Sequence, residues 1–248
     1  MLVPFGAGRL YVQRTDIVAA TPLEFGILQE CQRSFAFNTK PLMGQNQFAV
    51  FVARGAAKWT VKAKYGVFSA RAMNDGFFGQ ALTTGQIALA AGEAGTVPAV
   101  TTFTITVANS ATFVADRGVV YTNGGLPLVN VPSAPIIGQY SYAAGIYTFA
   151  AADANAAVLI SYQYTIAATG SKITITQQLM GTTPFFSGVF RNRDANSGLF
   201  STMVLNRLTT SKLNLASKLE DFEIPEFDME VMADDSGIIG TMSYGDAA

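Results

Sequence analysis

The chain is 248 residues long, half of them apolar and only 13% charged, a length that suits one large β domain or two small ones. It holds one cysteine and no histidine. That excludes an internal disulfide, Ser-His-Asp and Cys-His catalysis, and histidine-containing zinc sites.

Globular chains usually carry about a quarter charged residues. So little charge, with abundant Tyr, Phe, Thr and Gly, points either to surface covered by other copies of the chain or to a neutral, Thr-rich β surface. The net charge of −1 hides a segregation. Residues 1–219 carry 16 bases and 8 acids, a net of +8, whereas residues 220–248 carry 9 acids and no base, a net of −9. Pairing within the chain, a solvated acidic tail, or complementary edges of adjacent subunits would each account for it.

Residues 1–8 lack the basic start and apolar core of a signal peptide. Leu10 and Val12 predict a short strand, broken at Ala20-Thr21-Pro22. Residues 23–37 read as one long strand, and residues 38–46, around Pro41 and Gly44, as a loop. Its Leu42 and Met43 either fold back onto the core or pack into a neighbouring subunit. Residues 47–54 and 56–69 read as two further strands. In the second, Trp59, Val61, Ala63 and Tyr65 share one face, and Lys58, Thr60, Lys62 and Lys64 the other. Residues 69–79 predict the one convincing helix, with Ser69 as N-cap, Gly76 weakening it and Gly79 ending it.

The centre, residues 94–171, holds only Asp116, Arg117 and Asp153 as charges. Its uncharged run 118–152 is interrupted by Gly, Pro, Asn, Ser and Thr and is no transmembrane helix. Strands are predicted at 100–107 and 112–121, a hairpin at 139–150 turning on Ala144-Gly145, and a strand alternating through Val158, Ile160, Tyr162 and Tyr164. Further strands are expected at 170–179, 185–190, 199–208 and 212–217, with a turn at 191–194. The final stretch alternates acids Glu226, Asp228 and Glu230 with Phe227, Met229 and Val231, so it is a strand with one apolar and one anionic face. Asp235-Ser236-Gly237 signals a turn, and 238–244 a returning strand. The class is mainly β, a sandwich or barrel with one short helix.

Little here carries chemistry. There is no Gly-rich phosphate loop. Arg191 and Arg193 among Phe185, Phe186 and Phe190 suit either a basic–aromatic nucleic-acid patch or a turn with solvated arginines. Asp234 and Asp235 suit calcium or a hairpin turn, and lack EF-hand spacing. Glu226 and Glu230 could act as acid and base, but nothing in the sequence marks a cleft. Neither a catalytic residue nor a metal or cofactor site is expected, and the chain is not read as an enzyme.

Three stretches carry a resemblance. The first is PLEFGILQECQRSFAFNTKPLMGQNQFAVFVARGAAKWTVKAKYGVFSARAMNDGFFG (22–79): long strand, Leu-x-Gly-Gln loop, strand, basic strand, short helix. The second is TFVADRGVVYTNGGLPLVNVPSAPIIGQYSYAAGIYTFAAADANAAVLISYQYT (112–165), and the third is the acidic C-terminal strand with its turn. In this order they resemble the major tail tube proteins of long-tailed bacteriophages.

The resemblance implies a single β-sandwich or β-barrel-like domain over 1–248, with 94–171 as an elaboration or insertion. Six copies form a ring around a channel and rings stack into a tube, the conduit for DNA ejection. Implied partners are further copies of the chain, the tape measure protein, the tail terminator and distal tail proteins. Double-stranded DNA passes without specific binding, and no membrane is involved. The implied location is the virion, after assembly in the host bacterial cytoplasm. Lys40, Leu42 and Met43 become candidate inter-ring contacts. Glu226, Asp228 and Glu230 become either a channel lining or a partner for the Lys58, Lys62 and Lys64 face of a neighbour. The rival is a carbohydrate- or receptor-binding β-sandwich, with Tyr140, Tyr142, Tyr147, Tyr162 and Tyr164 as sugar-stacking platforms.

Overall fold

A computed structural model describes residues 5–67 and 69–245; Met1–Pro4, half of the stretch read for a signal peptide, lie outside them. The chain is mainly β with one short helix. It divides into two compact units, one made of Met1–Leu82 with Ile173–Ala248, the other of Thr83–Lys172. The charge-poor region 94–171 lies wholly inside the second.

The first unit is built on one antiparallel sheet. Its strands are β1 (Arg9–Arg14), β2 (Leu23–Phe25), β3 (Leu28–Met43), β4 (Ala49–Tyr65), and, after the second unit, β12 (Phe186–Arg193), β13 (Phe200–Asn214), β14 (Glu226–Met232) and β15 (Gly240–Tyr244). The order is β2-β1-β12-β13-β14-β4-β3, with β15 also on β13. β2 and β3 are opposite edges, so the barrel alternative does not close. Alternation sends Leu10, Val12, Val61, Ala63, Tyr65, Leu208, Phe227 and Met229 to one buried face. Phe25, Tyr65 and Phe227 meet there with ring centroids 5.1–5.5 Å apart, in the edge-to-face and tilted geometries aromatic rings favour.

The predicted helix covers this face. Ser69 Oγ accepts from the Ala72 N–H at 3.3 Å, α1 spans Ala70–Met73, and a π turn follows over Asn74–Phe78. Gly79 ends it at φ 62°. Gly76, which costs helix propensity, is needed for packing: a Cβ there would stand 3.1 Å from the Phe227 ring.

Several expectations are corrected, and the strands read separately at 47–54 and 56–69, and at 199–208 and 212–217, are continuous as β4 and β13. The strand 23–37 is broken at Gly26 into β2 and β3, where a Cβ would meet Val67 at 3.1 Å. The loop 38–46 is mostly strand: β3 runs to Met43, β4 starts at Ala49, and their register pairs Lys40 with Ala53 and Leu42 with Phe51. Cross-strand hydrogen bonding thus overrides the turn residues Asn38 and Pro41. Arg191 and Arg193 lie within β12 and pair with Thr202 and Phe200; the turn follows, held by Asp194 Oδ1 accepting from Asn196 N, Ser197 N and Ser197 Oγ. Finally, β15 does not return along β14. β14 pairs with Arg207–Asn214 and β15 with Ser201–Leu205, both antiparallel to β13. The two lie in one lane, separated by an excursion that Asp234 closes by accepting from Ser236 N and Ile238 N at 2.9 Å.

The second unit contains β5 (Leu82–Thr96, its first residue in the first unit), β6 (Thr104–Thr106), β7 (Phe113–Tyr121), β8 (Val129–Asn130), β9 (Gln139–Ala143), β10 (Ile146–Phe149) and β11 (Ala157–Ile173, its last residue in the first unit). They form a β5-β11-β7 sheet and a β6-β10-β9-β8 sheet over a core of Val97, Val119, Tyr140, Tyr147, Val158, Ile160 and Tyr162. The predicted hairpin is present, turning on Ala144 and Gly145 at φ 47° and 79°, the positive-φ pair such a turn requires. β5 has no counterpart in the sequence reading. The predicted strand 100–107 shrinks to Thr104–Thr106. The strand expected at 170–179 does not exist separately, since β11 continues to Ile173.

Candidate assembly surface

β14 lies between β13 and β4. The β4 register sets Glu226 opposite Lys64, Asp228 opposite Lys62 and Glu230 opposite Thr60. With Phe227 and Met229 committed to the core, the three acids must project from the other face, and so must the β4 lysines. Lys58 Nζ is 3.0 Å from Glu230; Lys62 Nζ is 3.4 Å from Asp228 and 3.9 Å from Glu226. Lys64 turns to the far neighbour and donates to Glu30 at 2.7 Å. Lys212 stands opposite Asp228 on β13. Four acids (Glu30, Glu226, Asp228, Glu230) and four lysines (Lys58, Lys62, Lys64, Lys212) make a charge-balanced stripe across β3, β4, β14 and β13. The acidic and basic faces therefore meet within one chain, and their pairing needs no neighbour. Each such exposed pair contributes about 0.2–1 kcal/mol and is screened by salt.

Lys40, Leu42 and Met43 lie elsewhere, on the outer half of the β3–β4 hairpin. That half leaves the core beyond Trp59 and is exposed on both faces over 36–57. At roughly 3.3 Å per residue, β3 residues 36–43 reach about 26 Å. The arm is apolar: Leu42, Met43, Phe48, Val50, Phe51 and Val52 are all more than half exposed, Phe48 at 85%. Large apolar side chains exposed together in this number mark an interaction site.

The remaining candidates separate. Phe186 and Phe190 belong to the core, while Arg191 and Arg193 stack on Phe200, 3.8 and 5.9 Å from its centroid. Asp234 organises the excursion after β14, and those backbone hydrogen bonds, with the Asn206 amide, hold its carboxyl below the usual range. Asp235 pairs with Arg207 at 2.8 Å. Among the described residues no group of three His, Cys, Asp or Glu is placed to hold a metal ion.

The tyrosines divide by burial. Tyr140, Tyr147 and Tyr162 are in the second unit's core. Tyr140 and Tyr147 donate to the two oxygens of Asp116 at 2.6 and 2.8 Å. Tyr121 donates to Asp153 at 2.6 Å, and Tyr162 to Glu93 at 2.5 Å. Burial, reinforced by these carboxylates, raises all four hydroxyls, that of Tyr121 to about 12. Of the five proposed platforms, Tyr142 and Tyr164 alone keep partly solvent-facing rings. The sequence reading missed this network. Its signal was there: two carboxylates, Asp116 and Asp153, in a charge-poor, tyrosine-rich stretch, with Glu93 at its edge.

No protein-family model matches this chain, and no curated protein matches it. The class defined so far is a mainly β chain of two units. Its first unit presents a charge-balanced sheet face and a long apolar arm.

Proposed function

We propose that the chain is a structural, self-assembling protein of the phage tail tube type, in which rings of six copies stack into a conduit for DNA. The arm carries this reading. Six large apolar side chains on a hairpin extending well past its core stay more than half exposed, and water-exposed apolar area of that kind is stabilised by a neighbouring subunit. Lys40, Leu42 and Met43 are then inter-subunit contacts. The charge-balanced face suits a channel lining, because equal numbers of acids and lysines neither hold phosphates nor exclude them strongly. In this role the protein performs no chemistry. It meets the tape measure protein and the terminator and distal tail proteins, and is located in the virion.

The test is the full-length chain with residues 40–52 replaced by an Asn-Gly turn. Wild type is expected to form rings or tubes by electron microscopy and sedimentation, and the shortened protein to remain a folded monomer. A wild-type chain that stays monomeric at high concentration, or a shortened chain that assembles as well as wild type, would sink the proposal.

A further inference from the structure

The acids of the C-terminal stretch are not all in ion pairs, although Glu223 accepts from Ser217 Oγ and Asp221 from Phe222 N. Those on β14 pair with lysines of their own sheet, Asp234 closes its turn, and Asp235 holds Arg207. Glu220, Asp221 and Glu223, in the loop between β13 and β14, form no ion pair among the described residues. The loop is held out from the sheet, with Leu219 94% and Phe222 87% exposed and Glu220 at φ 62°.

An opposite imbalance lies at the other end of the sheet. Arg9 and Arg191 are direct cross-strand partners, and Arg193 follows two residues along β12. Like charges placed opposite each other destabilise a strand pair. Arg9 has Glu24 at 3.5 Å; Arg191 and Arg193 have only the face of Phe200 among the described residues. With Phe5, Gly8 and Asn192 these residues line an open cleft of about 390 Å³, with no carboxylate in its wall among the described residues.

β13 ties the two features together. Its first residue, Phe200, pairs with Arg193, and its last, Asn214, leads into the acidic loop. The fourteen steps from Phe200 to Asn214, at about 3.3 Å each, put the cleft roughly 45 Å from the start of the loop, so one cannot fill the other in the same molecule. Complementary surfaces at opposite ends of one rigid strand make a head-to-tail, repeating contact.

We propose that the Arg9/Arg191/Arg193 cleft receives the 219–223 loop of a second copy, the guanidiniums taking Glu220, Asp221 and Glu223 while Phe222 packs beside Phe200. This rests on the reading of the chain as self-assembling, and names a surface pair apart from the apolar arm.

The experiment is a charge swap in the full-length chain, read by sedimentation velocity and electron microscopy. Arg191→Glu/Arg193→Glu, and separately Glu220→Lys/Asp221→Lys/Glu223→Lys, are each expected to weaken association about 100-fold, the scale of breaking close interfacial charge pairs. The two sets combined are expected to restore it to within about tenfold of wild type. A disulfide trap covers the case in which the arginine variant fails to fold. In a Cys31→Ser background, a Phe200→Cys chain mixed with a Phe222→Cys chain is expected to give a mixed disulfide dimer under mild oxidation.

The inference is overturned if both charge variants assemble like wild type, if their combination is no better than either parent, or if the trap gives no mixed dimer. It is equally overturned if Arg191→Glu/Arg193→Glu loses DNA retention while assembling normally. Those outcomes leave the self-assembly reading standing. A wild-type chain that never associates removes both.

Discussion

The two units solve the same problem in different ways. Each places carboxylates within a β fold, but the first answers them with lysines on an open sheet face, and the second with tyrosine hydroxyls inside its core. Lys58 meets Glu230 where water still competes. Asp116 receives two hydroxyls from fully enclosed rings. Exposed pairs contribute little and set register and surface charge. Hydrogen bonds to a charged acceptor in a core contribute more, because losing the acceptor strands buried donors. The acids of the first unit's sheet face are thus peripheral, whereas Asp116 and Asp153 in the second are structural.

The largest effect that tests this contrast is Asp116→Ala. It orphans the Tyr140 and Tyr147 hydroxyls and is expected to cost about 3 kcal/mol, read as a lower denaturant midpoint. Asp116→Asn, which keeps an acceptor, is expected to cost less. A loss below about 1 kcal/mol would erase the distinction between the units.

Next comes reversal of Glu226, Asp228 and Glu230 to Lys, which sets like charges across β14 and β4. It is expected to destabilise the fold by about 2 kcal/mol, at up to 1 kcal/mol per opposed pair. The loss is expected to shrink in 1 M salt and to be largely recovered by adding Lys58→Glu, Lys62→Glu and Lys64→Glu. Failure of the second set to rescue would mean that the stripe does not act through these pairs.

The smallest is Tyr121→Phe, expected to cost about 1 kcal/mol at pH 8 through the lost bond to Asp153. Its pH dependence is the sharper reading. The Tyr121 hydroxyl is raised from its ordinary value of 10.0 to about 12, by burial first and then by its hydrogen bond to Asp153. The folded state therefore holds the proton more tightly than the unfolded one. The linked stability is complete below about pH 10 and lost as pH rises through about 12. The gap between wild type and Tyr121→Phe should close over that window, and a constant gap would count against the linkage.

Much was legible in the sequence wherever one local rule acted alone. Period-two alternation placed Val61, Ala63, Phe227 and Met229 inside and the charges outside, because a strand has only two faces. The Ser69 cap, the Gly79 stop and the Ala144-Gly145 turn follow from backbone geometry within a few residues. Partnership was not legible, because it depends on which strands lie side by side. Alternation gave an acidic face and a basic face; only the order β13-β14-β4-β3 joins them in one molecule. Turn residues at 38–46 lost to a long ladder of cross-strand hydrogen bonds, and Asp234 redirected the chain so that β15 continues the lane of β14. The same tertiary placement decides what is left unpaired. It gives β14's acids their lysines and, along the length of β13, sets Glu220, Asp221 and Glu223 far from Arg191 and Arg193.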